Sequence, residues 1–219
     1  MPVTIWLVRH AESVANVTQN GDLHDPELTD LGRQQCASLR EDFAKKRVDL
    51  VFVSPMQRAI QTALEIFPES SGLFVEPTDN MILLPELQER GGAVCAPCDI
   101  GSPPDWILEK YGDTRFDHSH MTIEWTNKRP GSFYAPENAR KRARFARKVL
   151  RDTVKPYEGT DLCIVVVTHG RFLQFLTESS VVFHNAEARP YVFAPADEDD
   201  TEAKLVEVSP IDDGDSSQE

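Results

Sequence analysis

Residues 162–170 read Leu-Cys-Ile-Val-Val-Val-Thr-His-Gly, and this stretch decides the fold class. A short, continuous run of apolar and β-branched residues from Leu162 to Thr168 predicts a strand that is buried on both faces. His169 and Gly170 stand at its carboxyl end, and residues 171–177 predict a helix. Because doubly buried strands occur in sheets that helices cover on both sides, the stretch favours an α/β architecture.

Three further strands are predicted earlier in the chain, at 3–9, 49–53 and 81–84. Helices are predicted at about 32–46, 54–66, 105–111 and 136–154, the second of them with Ser54 as N-cap and Pro55 at the first helical position. Residues 189–193 and 203–208 alternate like the strands of a hairpin. This order predicts a three-layer α/β/α sandwich with a mostly parallel central sheet.

Polar side chains follow three of the predicted strands. Arg9-His10 ends the first, Arg58 follows the second by a few residues, and His169 ends the last long one. Ligands in open α/β sheets bind outside the carboxyl ends of the strands, so two arginines and two histidines are expected at one edge. Arginine matches phosphate oxygens in a bidentate manner, and histidine can act as a nucleophile on phosphorus. The sequence therefore predicts a phosphoryl-binding site at this edge.

The composition restricts the class of partner. The 219 residues are 40% hydrophobic and carry a net charge of -13, which disfavours binding to nucleic acid or to an anionic membrane surface. No apolar run approaches the ~18–20 residues of a membrane span, and the first residues lack the features of a signal peptide, so a cytoplasmic location is expected. We expect one domain over 1–208, with an irregular insertion or lid at 91–133, and an acidic, disordered tail at 209–219.

Five ordered motifs resemble those of the histidine phosphatase superfamily, also called the phosphoglycerate mutase-like family. They are Arg9-His10-Ala11 with its continuation to Asn16, Leu28-Thr29-x-x-Gly32, Ser54-Pro55-x-x-Arg58, Leu87-x-Glu89 and Thr168-His169-Gly170. The resemblance covers residues 3–178. The family usually has glycine where this chain has Ala11. The stretch Cys98-Asp99-x-Gly101-Ser102 is similar to a variant found among fungal members.

The resemblance implies a role for each matching residue. His10 would be the nucleophile, and Glu89 would protonate the leaving oxygen and then activate water. The phosphoryl oxygens would be held by the remaining site residues: Arg9, Asn16, Arg58, His169 and Gly170. No metal or other cofactor is required, because the arginines and the second histidine neutralise the phosphoryl charge. Glu86, three residues before Glu89, is the alternative acid.

The resemblance therefore favours a metal-independent phosphomonoesterase that acts on a small phosphorylated metabolite. Two alternatives stay open: a phosphoglycerate or phosphosugar mutase, and a catalytically silent protein-interaction module. Because the stretch after Asn16 is not similar to the long mutase signature, hydrolysis is preferred. The oligomeric state is not predicted.

Three local patterns allow two interpretations each. Cys95 and Cys98 have the spacing of a zinc or redox pair, with His118 and His120 as further candidate ligands, or they are free loop thiols. The aromatic residues of the 91–133 insertion form either a substrate wall or packing contacts, and they are Trp106, Tyr111, Phe116, Trp125 and Phe133. The basic segment 140–151 is either a phosphate or nucleic-acid patch or an amphipathic helix with a solvated basic face.

Overall fold

The computed structural model describes residues 3–68, 81–112, 115–157, 159–195 and 201–208. Within them, seven strands form one sheet in the order β4-β3-β2-β5-β1-β6-β7. The strands are β1 (Thr4–Arg9), β2 (Leu50–Val53), β3 (Met81–Leu83), β4 (Phe116–Asp117), β5 (Cys163–Thr168), β6 (Ala188–Phe193) and β7 (Leu205–Glu207). The first five are mutually parallel, whereas β6 and β7 are antiparallel additions at the β1 edge.

Helices cover both faces of the sheet. They are α1 (Val14–Thr18), α2 (Asp30–Phe43), α3 (Gln57–Ile66), α4 (Pro104–Tyr111), α5 (Ala139–Val154) and α6 (Gly170–Leu176). Alternate residues of each central strand enter two separate cores, so that Val165 and Val167 pack with α2 and α3 while Ile164 and Val166 pack with α5 and α6. The continuous apolar run of β5 is therefore buried on both sides, which confirms the predicted α/β/α sandwich.

The predicted strands and helices are present, including the late hairpin, with shifts of two to three residues at some ends and three larger differences. Helix α1 and the short strand β4 were not predicted. Helix α3 begins at Gln57 with Met56 as N-cap, so the assignment of Ser54 as N-cap is wrong. The physical reason is a distant cap: the carboxylate of Asp25 accepts a hydrogen bond from the Gln57 amide at 3.0 Å.

Helix α5 buries the predicted apolar stripe, but its basic residues are not all solvated. Arg142 and Arg147 are buried, the former against the backbone carbonyls that precede Glu89 and the latter against the carbonyls at the end of α6. On the exposed part of this helix, Arg144 forms an ion pair with Glu202 at 2.9 Å. The interpretation as a fully solvated basic face is therefore wrong for these two arginines. The tail at 209–219 lies outside the described residues.

No helix among the described residues is long and apolar enough to cross a membrane.

Candidate active site

The carboxyl ends of β1, β2 and β5 meet because these strands are neighbours in parallel register. Arg9 pairs with Thr168 in the ladder between β1 and β5, and Val53 pairs with Val167 in the ladder between β2 and β5. A cavity of about 370 Å³ opens at this edge. Of the seven predicted site residues, six line it, namely Arg9, His10, Asn16, Arg58, Glu89 and Gly170.

His10 is held in one tautomer by its two ring contacts. Its Nδ1 lies 2.7 Å from the carbonyl oxygen of Ala11, and its Nε2 lies 3.3 Å from Nε of Arg58. A carbonyl can only accept and a guanidinium can only donate, so Nδ1 carries the proton and Nε2 presents its lone pair. Burial and the neighbouring Arg58 charge lower the pKa of His10 well below its ordinary value, which keeps the imidazole neutral. A neutral ring whose Nε2 is unprotonated can attack as a nucleophile once the Arg58 hydrogen bond to that nitrogen is released.

Arg58 lies in the first turn of α3, and its guanidinium contacts two other parts of the site. It is 4% exposed, and besides His10 it donates from Nη1 to the carbonyl oxygen of Cys98 at 2.9 Å. Arg9, at the end of β1, donates from Nη1 to the carbonyl oxygen of Phe183 at 2.7 Å, while its buried Nε has no partner in the described structure. Burial lowers the pKa of Arg9. The buried Arg58 and the half-buried Arg9 thus place two guanidiniums beside His10, an arrangement that can bind an anion.

His169, the N-cap residue of α6, is completely buried beside His10, with ring centroids 5.0 Å apart. Its Nε2 contacts the Ser54 hydroxyl at 2.8 Å, and its Nδ1 is buried without a partner among the described residues. Burial and the Arg58 charge lower its pKa well below the ordinary value. The contact to His169 also explains why Ser54 is not used as a helix cap.

Of the two candidate acids, Glu89 lines the cavity and Glu86 does not. Glu89 Oε1 accepts hydrogen bonds from the amides of Arg90 at 2.8 Å and Phe172 at 3.0 Å, so the carboxylate is held against the start of α6. Glu86 instead contacts the Tyr134 hydroxyl at 3.4 Å, and burial raises its pKa. The geometry therefore favours the sequence-based choice of Glu89.

Two buried cations hold the backbone of Glu89 in place. Lys128 Nζ donates to the Glu89 carbonyl oxygen at 2.5 Å, and Arg142 Nη2 donates to the same oxygen at 3.3 Å. Burial lowers the pKa of Lys128 to about 7, with the Arg142 charge adding to the effect. Sequence analysis missed both residues, because neither forms part of a motif and only the fold brings them to Glu89.

Asn16 and Gly170 complete the predicted set. Asn16 Oδ1 accepts hydrogen bonds from the Ser13 amide and hydroxyl and from Asn185, which orients its amide group. Gly170 lies close to Arg9, because a β-carbon there would lie 3.0 Å from Nε of Arg9 and the Arg9 side chain would have to shift by a few tenths of an ångström. The glycine therefore allows a close approach of the Arg9 side chain to α6. Ala11 adopts no positive φ, so the departure from glycine at that position introduces no strain.

We call residues 95–102 the strap, and the sequence analysis assigned none of its side chains to the site. Cys98 and Asp99 line the cavity, Cys98 through a carbonyl oxygen that accepts from Arg58. Gly101 packs on the Trp125 ring, where a β-carbon would lie 1.8 Å from the nearest ring atom. The sequence signal that could have pointed to this segment is the Cys98-Asp99-x-Gly101-Ser102 pattern. Each residue named in it either lines the cavity or contacts a residue that supports it.

Asp25 anchors this strap to α3. It is completely buried, and its Oδ2 accepts hydrogen bonds from the Ser102 amide at 3.0 Å and the Ser102 hydroxyl at 2.8 Å. Its Oδ1 caps the Gln57 amide, one residue before Arg58. Burial raises the pKa of Asp25. One carboxylate thus joins the segment that carries Asp99 to the helix that carries Arg58.

The aromatic wall is not observed. Trp125 is completely buried and Phe116 is 5% exposed, both in the core on the α2–α3 side of the sheet, so the packing interpretation is correct for them. Trp106, Tyr111 and Phe133 pack against other aromatic rings or lysine side chains and do not line the cavity. Cys95 and Cys98 are free thiols, and burial raises the pKa of each.

The chain belongs to the histidine phosphatase superfamily (branch 1), whose model matches residues 5–197. Among curated relatives, a probable phosphatase of Schizosaccharomyces pombe is 41% identical over 104 residues, which cover 45% of each chain. Phosphoserine phosphatase 1 of Hydrogenobacter thermophilus is 38% identical over 81 residues, covering 36% of this chain and 38% of the relative. The matches thus span less than half the length of these relatives.

Solved structures share the fold over nearly the whole chain. The ecdysone phosphate phosphatase from Bombix mori, in complex with tungstate, has a TM-score of 0.65 at 16% identity and covers 94% of this chain and 92% of its own. A phosphoserine phosphatase from Entamoeba histolytica, in complex with phosphoserine, has a TM-score of 0.54 at 18% identity and covers 94% and 95%. At these identities the likeness defines the fold.

Proposed function

We propose that this protein is a phosphomonoesterase that hydrolyses small phosphorylated metabolites through a phosphohistidine at His10. The observation that carries the proposal is the fixed tautomer of His10, whose Nε2 lone pair faces the buried Arg58 guanidinium in a cavity that Arg9 and Glu89 also line. Family membership and the names of the curated relatives support the same activity.

In the first step, Nε2 of His10 attacks phosphorus while the bond between phosphorus and the ester oxygen breaks. Arg9 and Arg58 stabilise the charge that spreads over the phosphoryl oxygens, whereas His169 lies behind His10 and does not line the cavity. Glu89 gives its proton to the leaving alkoxide, since an alkoxide is a poor leaving group. The products are an alcohol and phospho-His10.

In the second step, water attacks the phosphohistidine and Glu89 takes the proton that the water releases. The bond between phosphorus and Nε2 breaks, phosphate leaves, and the imidazole returns to its neutral tautomer. The Nδ1 proton stays with the Ala11 carbonyl throughout, so the ring does not need to rotate between the steps.

The test is phosphate release from an aryl phosphate in EDTA between pH 5 and 8, with wild type, His10→Ala and His118→Ala as the matched control. His118 is exposed and does not line the cavity. We expect activity in wild type and the control and a loss of at least ~10³-fold in His10→Ala. Acid-labile phosphate bound to wild type during turnover would identify the intermediate.

Three results would contradict the proposal. Full activity in His10→Ala would exclude the nucleophile, and activity that EDTA abolishes would exclude a mechanism in which the arginines alone neutralise charge. Transfer of the phosphoryl group to a second hydroxyl without release of phosphate would identify a mutase instead. An inactive but folded wild type on a panel of phosphorylated metabolites would favour the interaction module.

A further inference from the structure

Two charged side chains that line the cavity, Arg171 and Asp99, have no task in the proposed reaction, and Asp99 is the carboxylate of the two. The Asp99 carboxylate lines the cavity with 15% of its side chain exposed, and its nearest cation is Arg58, whose Nη2 lies 3.8 Å from Oδ1. No hydrogen bond to this carboxylate is present among the described residues. Glu89, by contrast, has its Oε1 occupied by two backbone amides. Asp99 is thus the carboxylate that is free to accept a donor from a ligand.

The position of Asp99 is fixed from both sides, so it is not a mobile surface acid. Its amide donates to the carbonyl oxygen of Ala96 at 2.9 Å within the 3₁₀ turn Pro97–Asp99. The preceding carbonyl, of Cys98, accepts from Arg58, and Ser102 beyond it is bound by the buried Asp25. A carboxylate held in this way is preorganised for a partner that enters the cavity.

A phosphate in the cavity changes the charge balance around Asp99. Arg58 already uses Nε for His10 and Nη1 for Cys98, so Nη2 is the nitrogen left for both a phosphoryl oxygen and Asp99. Lys128 and Arg171 also act on Asp99 from the neighbouring elements, while Glu89 repels it. Burial and Glu89 raise the pKa of Asp99. A phosphoryl group that engages Arg58 would leave this carboxylate without its nearest cation.

We infer, on the basis of the proposed function, that Asp99 selects phosphate monoesters whose carbon skeleton carries an ammonium group near the ester oxygen. The ammonium donates to the Asp99 carboxylate while the phosphoryl group occupies Arg9 and Arg58. The ammonium of such a substrate pairs with the Asp99 carboxylate while the arginines pair with the phosphate. Neither anion is then left unpaired in a desolvated site. A substrate with the same shape and no charge leaves Asp99 unpaired.

The first experiment measures binding without turnover, in protein that carries His10→Ala. Dissociation constants for O-phosphoethanolamine and for n-propyl phosphate, which has nearly the same shape and no ammonium, are measured by calorimetry. We expect O-phosphoethanolamine to bind at least ~10-fold more tightly, and Asp99→Asn in the same background to remove that preference. Asp105→Asn, at an exposed position on α4 that does not line the cavity, is the matched control and should keep it.

The second experiment measures kcat/KM of wild type and of the Asp99→Asn variant for the same two esters and for an aryl phosphate. We expect Asp99→Asn to raise KM for O-phosphoethanolamine by a larger factor than KM for n-propyl phosphate or for the aryl phosphate. Equal binding of the two esters to the His10→Ala protein would overturn the inference while leaving the proposed hydrolysis intact. An equal fall in kcat for both alkyl esters, with the aryl phosphate spared, would also overturn it, because that pattern identifies Asp99 as a proton donor.

An inactive wild type would refute the proposed function, and the binding preference would still decide the inference. Loss of aryl phosphate binding or turnover together with a lower melting temperature in Asp99→Asn would assign a structural role to Asp99 and overturn selection. The paired comparison of two esters in one variant separates these cases.

Discussion

The strand ends and the 95–102 strap both line the cavity, but different forces hold them. At the strand ends, backbone hydrogen bonds of the sheet fix the chain: the His10 amide donates to Thr168 at 2.9 Å and the Ser54 amide to Val167 at 3.0 Å. The strap has no strand partner. It is held by a backbone bond from Cys98 to Gly21 and by side chains that reach backbone groups, above all Asp25 and Arg58.

This difference has a functional consequence. A strand end is part of a ladder, so its position survives the loss of a single side chain. The strap depends on a few long-range bonds, so the loss of one can shift it as a whole. We therefore expect the proposed reaction chemistry to be robust to changes beneath the site, and the proposed selectivity to be sensitive to them.

Arg58 joins the two regions, and its replacement should have the largest effect. Arg58→Lys keeps a positive charge but loses the fork that contacts both His10 and the Cys98 carbonyl. We expect kcat/KM for an aryl phosphate to fall by ~10²–10³-fold, as for the loss of one group that stabilises transition-state charge. Arg33→Lys, at a half-buried arginine that is paired with Glu65 and does not line the cavity, serves as control. An effect below ~5-fold would mean that a point charge suffices and that the two regions act independently.

A substitution of Asp25, which does not line the cavity, should affect the strap more than it affects the strand ends. Oδ1 of Asp25 accepts from the Gln57 amide and Oδ2 from the Ser102 amide, so Asp25→Asn replaces one of these acceptors by a donor and leaves one buried amide unpaired. We expect a loss of ~1–3 kcal/mol in the free energy of unfolding, measured with urea, and a reduced preference for ammonium-bearing esters. The aryl phosphate kcat should fall less than it does in Arg58→Lys. A fall as large as in Arg58→Lys would show that the strap is needed for the chemistry itself.

The smallest expected effect is the pH dependence of the free energy of unfolding that Lys128 causes. Burial lowers its pKa from 10.5 to about 7, so between these values the unfolded chain binds a proton that the native protein lacks. The contribution of this lysine to stability therefore falls as pH decreases across the window, by at most ~1.4 kcal/mol per pH unit.

The measurement is the free energy of unfolding of wild type and Lys128→Met at pH 7 and pH 8. On moving from pH 8 to pH 7, we expect wild type to lose stability relative to the variant by ~1 kcal/mol. Lys45→Met, at a position 75% exposed, should show no such change. A pH-independent difference between wild type and Lys128→Met would indicate that the ammonium stays charged throughout, held by the Glu89 carbonyl.

The strand-end residues could be found from sequence, because each lies next to a long apolar run. His10, Arg58 and His169 are all within a few residues of a strand whose burial pattern is visible in the chain, and parallel neighbours place such ends together. Gly170, which was predicted at the phosphate, lines the cavity and lies close to the Arg9 side chain.

The strap and its supports could not be found in this way. The contacts between Asp25 and Ser102, and between Lys128 and the Glu89 carbonyl, join residues 77 and 39 positions apart that no periodicity relates. The choice between a substrate wall and packing contacts for the aromatic residues of 91–133 could not be made from sequence for the same reason. Composition does not show whether Trp125 faces a cavity or a core. Likewise Arg142 and Arg147 read as surface charges until the fold buries them against carbonyl groups.

By itself, the sequence determined the α/β/α architecture, the edge of the sheet that carries the site and the residue types that meet there. Those features depend on local periodicity and on the short distance between a strand and the loop that follows it. Only the tertiary structure decided which carboxylates line the cavity and which nitrogen of His10 is unprotonated. It also decided which cations contact the backbone of Glu89. These depend on desolvation and on contacts between distant segments, which come into being when the chain folds.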